Sequence, residues 1–314
     1  FLSSKYGQSY LEREARGSVQ QHVFLSQIER FEVPIPSKIF ADEIQGIIEK
    51  ADNIYYESLS LSLESEQILL QELGLNKKVV TNKSYNIKTL KDSFYSTGRL
   101  DAEYYQLKYD ELMSELSVFN LDFLGDLVTI KKSIEPGSEA YLTEGIPFIR
   151  VANLSKNGIS ESDVFLSKEE YADFPLMPKK NTILLSKDGS VGIAYKVEEN
   201  MNAITSGAIL HLTDANKKIL TDYLTVVINS IVVKLQAERD AGGSIIQHWK
   251  PSEIKTVQIP ILSMATQKII SEKVQKSFAL HKRSKSLLEA AKKAVEMAIE
   301  QGEKVALDYL NNKI

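Results

Sequence analysis

The chain has 314 residues, 43% of them hydrophobic, which is enough for one large domain or two smaller domains with apolar cores. It contains no cysteine, which excludes a disulfide framework and cysteine-ligated zinc and fits a reducing cytoplasm. The net charge of −4 gives no general electrostatic support for nucleic-acid binding, and the longest apolar stretch, residues 223–235, is too short to span a membrane.

An internal repeat begins near the start of the chain. Residues 12–36 recur without a gap as residues 238–262, with 11 identities in 25 positions. The identical positions that we expect to shape the two junctions are Gly17, Ser18, His22 and Pro34, which recur as Gly243, Ser244, His248 and Pro260. A long helical pattern follows each copy, so one architectural unit is predicted to occur twice.

Residues 37–73 are predicted to form one long helix. Their apolar stripe recurs at intervals of seven, at Ile47, Ile54, Leu61 and Ile68. Gly74 is placed to cap the C-terminal end of this helix. Ser58 and Ser65 fall where the stripe requires apolar residues, so the seam is expected to be locally polar.

The middle of the chain mixes helical and β signals. Residues 100–116 and 220–238 have helical patterns. Short β-rich runs between turn residues are predicted at residues 146–151, 182–185, 192–197 and 208–212. Residues 263–301 then form a second long helical pattern.

The two long helices are expected to bury their stripes against each other. Neither helix could cover its own apolar stripe, and an exposed stripe of this length favours aggregation. The simplest arrangement is an antiparallel coiled coil with a mixed α+β unit at one end, which places the two repeat copies at opposite ends of the rod.

Enzyme signatures are missing from the sequence. It has no Gly-rich fingerprint after a strand, no P-loop and no amino-methyltransferase motif. Asp240, Glu253 and Lys255 have the loose spacing of a metal-dependent nuclease, but the other copy of the repeat lacks this pattern. His22 and His248 are either catalytic or structural, and their occurrence once in each copy favours a structural role.

Two Gly-containing turns carry a basic residue. They are residues 187–192, with Lys187 and Ser190, and residues 156–158, with Lys156. Either turn could contact phosphates or base edges, or be an ordinary hairpin turn. Further basic residues of this region are Lys131, Lys132, Arg150, Lys179 and Lys180. Because residues 121–262 hold 15 basic and 18 acidic side chains, DNA binding requires positive charge to be segregated onto one face.

The ordered set of motifs resembles the specificity (S) subunit of type I restriction–modification systems. The matching pieces are RLDAEYY at 99–105, LGDLV at 124–128, GIPFIR at 145–150 with Asn153, NTILLS at 181–186 with Gly189 and Gly192, Gly243 and Ser244 with Gln247, and IPI at 259–261 with Gln267. The resemblance covers nearly the whole chain.

The resemblance implies an α+β fold, in which a target-recognition domain of mixed helices and short strands is attached to an antiparallel two-helix coiled-coil rod. Residues 1–36 are then the C-terminal tail of a first, largely missing recognition domain, and residues 37–75 are the central spacer helix. Residues 76–262 are a linker and a complete second recognition domain, and residues 263–314 are the distal spacer helix and a tail.

The implied function is sequence-specific DNA recognition without catalysis, in the cytoplasm and away from membranes. Each recognition domain would read one half of a split target, and the helices would dock DNA methyltransferase (modification) subunits, expected to number two. Restriction/translocase subunits would join indirectly. No cofactor is expected in this chain, since S-adenosylmethionine and Mg/ATP belong on the partner subunits.

The expected DNA contacts are Lys131, Lys132, Arg150, Lys156 and Lys187, with Asn153 and Ser190 as hydrogen-bonding neighbours. Arg150 has an alternative role as an ion-paired residue at the end of a strand. Two other functions stay open: the specificity segment of a fused single-chain methyltransferase/restriction enzyme, and a coiled-coil adaptor with no DNA role. Salt-sensitive, specific duplex binding separates the adaptor from the other two.

Overall fold

The structure is a computed structural model that describes residues 1–17, 22–77, 85–171, 175, 177–241 and 247–313. The chain forms two units, one of Phe1–Leu61 with Lys276–Ile314 (unit 1) and one of Ser62–Gln275 (unit 2). None of the described helices combines the length and the apolarity needed to cross a bilayer.

Helices and short strands alternate along the described residues. The helices are α1 (Lys5–Glu14), α2 (Leu25–Ile28), α3 (Lys38–Glu72), α4 (Phe94–Thr97), α5 (Leu107–Leu116), α6 (Leu124–Leu127), α7 (Lys168–Tyr171), α8 (Thr221–Asn229), α9 (Ile231–Asp240), α10 (Pro251–Lys255), α11 (Met264–Gln301) and α12 (Glu303–Lys313). The strands are β1 (Leu121–Phe123), β2 (Thr129–Lys132), β3 (Ile146–Ile149), β4 (Leu154–Ser155), β5 (Gly158–Ile159), β6 (Phe165–Leu166), β7 (Ile183–Ser186), β8 (Ala194–Lys196), β9 (Ile204–Thr205), β10 (Ile209–Thr213) and β11 (Gln258–Pro260). Single 3-10 turns lie at Leu75–Lys77, Ser138–Ala140 and Val151–Asn153.

In unit 1, α3 and α11 pack antiparallel through their apolar stripes. The buried cluster consists of Phe40, Ile47, Ala51, Leu287, Ala291, Ala294, Ala306 and Leu310. Lys276 pairs with Glu57 at 3.0 Å near one end of the contact, and the Ser37 backbone N–H donates to Glu303 Oε1 at 2.7 Å near the other. The contacts of unit 1 confirm the predicted antiparallel pairing. In unit 2, Lys273 Nζ of α11 lies 2.7 Å from Glu64 Oε2 of α3.

The seam between the two long helices is locally polar, as predicted. Ser58 and Ser65 are buried. The Ser277 hydroxyl donates to the Ser58 carbonyl at 2.8 Å, and the two hydroxyl oxygens lie 3.3 Å apart. The hydroxyls therefore satisfy each other and the helix backbone inside an otherwise apolar contact.

The predicted tail after the distal spacer helix forms a helix of its own, α12. Gly302 has a φ of +91°, which ends α11, and α12 begins at the next residue. Such a positive φ is accessible mainly to glycine. The reversal brings Ala306 and Leu310 into the same cluster as α3 and α11.

Unit 2 is built on a four-stranded antiparallel sheet with the order β2-β10-β7-β8. All four residues of β7 are buried, as are the first four of β10, which fits sequences that are apolar except for Ser186 and His211. A three-stranded sheet, β6-β3-β9, contains the parallel pair β3–β9. Two smaller pairs, β4–β5 and β1–β11, complete the described sheets.

Two predicted helices are shorter than the sequence suggested. Residues 99–105 form turns rather than a helix, because Arg99 binds Asp101 through two nitrogens at 2.8 and 2.6 Å and stacks on Tyr104 with its guanidinium carbon 4.5 Å from the ring centre. The predicted helix 220–238 is broken at Ser230, whose hydroxyl accepts the Val232 N–H at 3.3 Å and caps α9. A serine that bonds the backbone in this way favours a new helix start.

The internal repeat recurs as local structure. Helices α1 and α9 end at the same repeat position, and α2 and α10 begin at the same one. Gln27 Oε1 accepts the Phe24 N–H at 2.8 Å, and Glu253 Oε2 accepts the Lys250 N–H at 3.0 Å, so equivalent side chains cap equivalent helices.

The remaining junction residues do not show the same structure in the two copies. Gly17 has a φ of +116°, and Ser18, Gly243 and Ser244 lie outside the described residues. Pro260 belongs to β11, whereas Pro34 lies in irregular backbone. The repeat therefore shares its helix ends and caps but pairs as a strand in the second copy alone.

Candidate functional site

The two lysines of β2 point to opposite faces of the four-stranded sheet, as successive strand residues do. Lys132 lies 3.0 Å from Glu135. Lys131 lies opposite His211 in the register, is exposed, and has no ion pair among the described residues. Of the two, Lys131 is the one whose charge is not already neutralised.

Arg150 and Asn153 form a turn directly after β3. The Arg150 guanidinium lies 2.6 Å from Asp163 Oδ1. Asn153 is buried, accepts the Arg150 N–H at 3.0 Å, and donates to the Glu161 carbonyl at 3.0 Å. This arrangement agrees with the alternative role of Arg150 as an ion-paired residue at a strand end, and a DNA contact by Asn153 requires these bonds to break.

Lys187 lies at the β7–β8 hairpin and anchors the second junction. Its side chain is only 12% exposed and pairs with Asp188, which also accepts from His248 Nδ1 at 2.9 Å. Burial acts to raise the pKa of Asp188, but the hydrogen bonds from Lys187 and His248 lower it below its usual value. Ser190, three residues further on, is exposed.

The two histidines of the repeat make different contacts. His22 exchanges backbone hydrogen bonds with Arg16 at 2.8 and 3.0 Å, whereas the His248 side chain binds Asp188. Next to His248, Trp249 is buried, and its backbone N–H donates to the Lys187 carbonyl at 2.8 Å. His22 therefore bonds within its junction through its backbone, and His248 through its side chain.

The carboxylates of the nuclease-like spacing have other partners. Asp240 accepts two hydrogen bonds from Arg239 at 2.7 and 3.2 Å, and Glu253 caps α10. Among the residues that the structure describes, no group of three or more His, Asp or Glu side chains is placed to hold a metal ion.

Lys156 lies in the two-residue turn between β4 and β5. It is exposed and, within the described part of the chain, has no ion pair. Gly158 follows with a φ of +147°, a conformation that closes the tight hairpin and that a side chain would strain. The turn is therefore a hairpin, and its lysine is directed to solvent.

A groove in unit 2 brings Lys131 together with Lys179 and Lys180. The last two were recognised as basic residues in the sequence but were not among the expected DNA contacts. The volume of the groove is about 480 Å³, and its lining includes Lys131, Lys179, Lys180, Thr182, His211 and Thr213. Lys179 and Lys180 were visible as a pair in the sequence. Lys131 is distant from them in the chain. The three lysines line one groove because of the strand order of the sheet, which the sequence did not predict.

His211 forms the floor of this groove without adding charge. It is 2% exposed, and its Nε2 lies 2.7 Å from the Thr205 hydroxyl. Burial, reinforced by the nearby positive charge of Lys131, lowers the pKa of His211 to about 4. The imidazole is consequently neutral at neutral pH.

Comparison with known proteins decides the family. The model of the family described as "Type I restriction modification DNA specificity domain" matches residues 118–290, more than half of the chain. The chain belongs to this family. The specificity-domain match begins just before β1 and ends within α11, so it includes the groove and the second junction.

Solved structures of similar description were also found. The S subunit of a type I restriction–modification system from M. genitalium is 17% identical, with a TM-score of 0.45, covering 92% of this chain and 68% of that one. The HsdS subunit from Thermoanaerobacter tengcongensis is 13% identical, with a TM-score of 0.40, covering 94% and 68%. No curated protein matches the chain. The family assignment therefore rests on the family model.

Proposed function

We propose that the chain recognises double-stranded DNA in a sequence-specific manner as the specificity subunit of a type I restriction–modification complex. The observation that carries this proposal is the specificity-domain match across residues 118–290. That segment contains every strand of the four-stranded sheet and, within the described residues, several lysines without an ion pair, among them Lys131 and Lys156. Unpaired surface cations are what backbone contacts to DNA require.

A bipartite target is supported by the different burial of the two junctions. In the second copy, Ile254 and Ile259 are 0% exposed, next to β1 and α6. The equivalent residues of the first copy, Ile28 and Val33, are 41% and 53% exposed. The apolar surface of the first junction is uncovered although its local fold is the same. This difference supports residues 1–36 as the tail of the first recognition domain, so that two domains read two half-sites.

The proposed partners are two DNA methyltransferase subunits docked on the long helices, with restriction/translocase subunits joining through them. Exposed apolar residues on unit 1, such as Ile39 and Tyr56 on α3, support docking because they lie outside the cluster that joins α3 to α11. S-adenosylmethionine and Mg/ATP would then be bound by the partner subunits in the cytoplasm, and this chain would supply specificity without catalysis.

The test is binding and methyl transfer with the full chain, with and without modification subunits. Selection from a randomised duplex library should enrich a two-part sequence with a gap of constant length. Methyl transfer should require the modification subunits. Methylation by the chain alone would contradict the non-catalytic role, and salt-insensitive binding without sequence preference would contradict DNA recognition.

A further inference from the structure

Several basic side chains near the four-stranded sheet are already neutralised by a carboxylate. The ion pairs are Lys132–Glu135, Arg150–Asp163, Lys187–Asp188 and Lys196–Asp222. Lys131, Lys179 and Lys180 have no ion pair among the described residues, and all three line the groove. The groove therefore gathers three uncompensated positive charges of an otherwise acidic domain.

Two of the three lysines are held by a well-anchored turn. The Thr182 N–H donates to the Lys179 carbonyl at 3.0 Å, which closes a four-residue turn. Asn181 adopts a φ of +67° within it, a conformation that asparagine tolerates better than most residues. The Lys180 N–H donates to Asn200 Oδ1 at 3.0 Å, and the Asn181 N–H donates to the Val197 carbonyl at 2.8 Å.

This anchoring fixes where the lysines leave the backbone. A turn that is bonded to the body of the unit loses less conformational freedom on binding than a flexible tail does. Lys131 reaches the groove from the edge strand β2, whose pairing with β10 sets its position beside His211. The three lysines therefore reach the groove from two separate elements, strand β2 and the turn before β7.

The remaining lining is suited to an anion with oxygen atoms. Thr182 and Thr213 bring hydroxyl groups, and neutral His211 forms the floor. Among the described lining residues, Asp214 is the one carboxylate, and it already accepts a hydrogen bond from the Thr213 hydroxyl at 2.9 Å. The described lining therefore carries three lysines against one carboxylate, which favours an anion.

We propose that this groove binds phosphates of the DNA backbone. The inference rests on the proposed DNA recognition and assigns to Lys179 and Lys180, together with Lys131, the task of positioning the duplex. Lysine acts as a mobile point charge that suits phosphate and carries no base preference. The groove thus contributes affinity and orientation, and base reading belongs to other residues.

The experiment compares the unmodified full chain with a Lys179→Ala/Lys180→Ala variant, using duplexes of two unrelated sequences. Each lost phosphate contact should reduce the slope of log K against log salt by about 0.9, which corresponds to about eightfold weaker binding at about 0.1 M salt. The loss should be equal for both sequences. Lys179→Arg/Lys180→Arg should retain binding, and Lys234→Ala, an exposed lysine on α9 outside the groove, should leave the slope unchanged.

A second measurement does not depend on folding of a variant. Lysine acetylation of the unmodified chain, followed by mass spectrometry, should show that DNA protects Lys131, Lys179 and Lys180 but not Lys234. Equal labelling with and without DNA, or an unchanged salt slope in the double variant, overturns the groove while DNA recognition stands. If the unmodified chain binds no duplex, even with modification subunits, the proposed function fails and the groove assignment fails with it.

Discussion

His211 should make the stability of the protein depend on pH in a way that one substitution removes. The residue is 2% exposed at the centre of the β2-β10-β7 ladder, beside the Thr205 hydroxyl and facing Lys131. Protonation in the folded state would place a charge in this buried site next to an existing cation. The folded protein therefore excludes a proton that the unfolded chain accepts.

The size of the effect follows from the two pKa values. Burial and Lys131 lower the folded-state pKa of His211 from 6.5 to about 4. As the pH falls, the unfolded state binds the proton before the folded state does. The stability that neutral His211 contributes is therefore fully present above the unfolded-state pKa and is lost as the pH falls towards 4. At about 1.4 kcal/mol per pH unit, the loss is about 3 kcal/mol.

Urea unfolding followed by far-ultraviolet circular dichroism measures this loss. Other groups also titrate between pH 7 and pH 4, so the informative quantity is the difference in free energy of unfolding between the native chain and His211→Gln. That difference should change by about 3 kcal/mol across the range, in favour of the variant at low pH. Parallel stability curves for the two proteins would refute the reasoning.

Three further predictions concern buried side chains, and the first two have a matched exposed position. Leu287→Ala should cost about 2–5 kcal/mol because it empties part of the buried cluster, whereas Leu288→Ala at the exposed neighbouring position should cost little. Ile259→Asp should destabilise the chain by about 3–5 kcal/mol through an unpaired buried charge, and Val33→Asp at the equivalent exposed position should change the free energy of unfolding by less than about 0.5 kcal/mol. Tyr223→Phe should cost about 1–3 kcal/mol, because a buried carbonyl 2.7 Å from the hydroxyl loses its donor.

Denaturant unfolding checks all three predictions, and each has its own contrary outcome. Equal costs for the two leucine variants would contradict the packing of α11. Equal costs at the two repeat-equivalent positions would contradict the different burial of the junctions. A Tyr223→Phe variant as stable as the native chain would show that the buried hydroxyl makes no net contribution to the free energy of unfolding.

The long helices were predictable because their pattern is strong and local. Both boundaries of α3 and of α11 lie within one residue of the expected ranges. The break at Ser230 was missed, because its side-chain cap competes with an apolar pattern that continues across it. The end of α11 at Gln301 was predicted, but α12 was missed because nothing nearby in sequence shows that a further helix follows Gly302.

The candidate contacts were less predictable, because a basic residue in the sequence does not show whether a carboxylate neutralises it in the fold. Arg150 meets Asp163 across a loop, whereas Lys132 and Lys187 pair with the nearby Glu135 and Asp188. The further bond from His248 to Asp188 joins residues 60 positions apart and cannot be derived from local composition. Lys131 and Lys156 remain exposed and unpaired within the described residues, so they stay as predicted contacts.

Trp249 allows the unfolding of the second junction to be followed separately from that of unit 1 by fluorescence. It is the single tryptophan of the chain, and it is buried beside the Lys187 carbonyl in unit 2. Tryptophan emission therefore reports the second junction alone, while unit 1 contributes only tyrosine signal. A red shift in emission marks the opening of that junction, and melting of unit 1 leaves the emission wavelength unchanged.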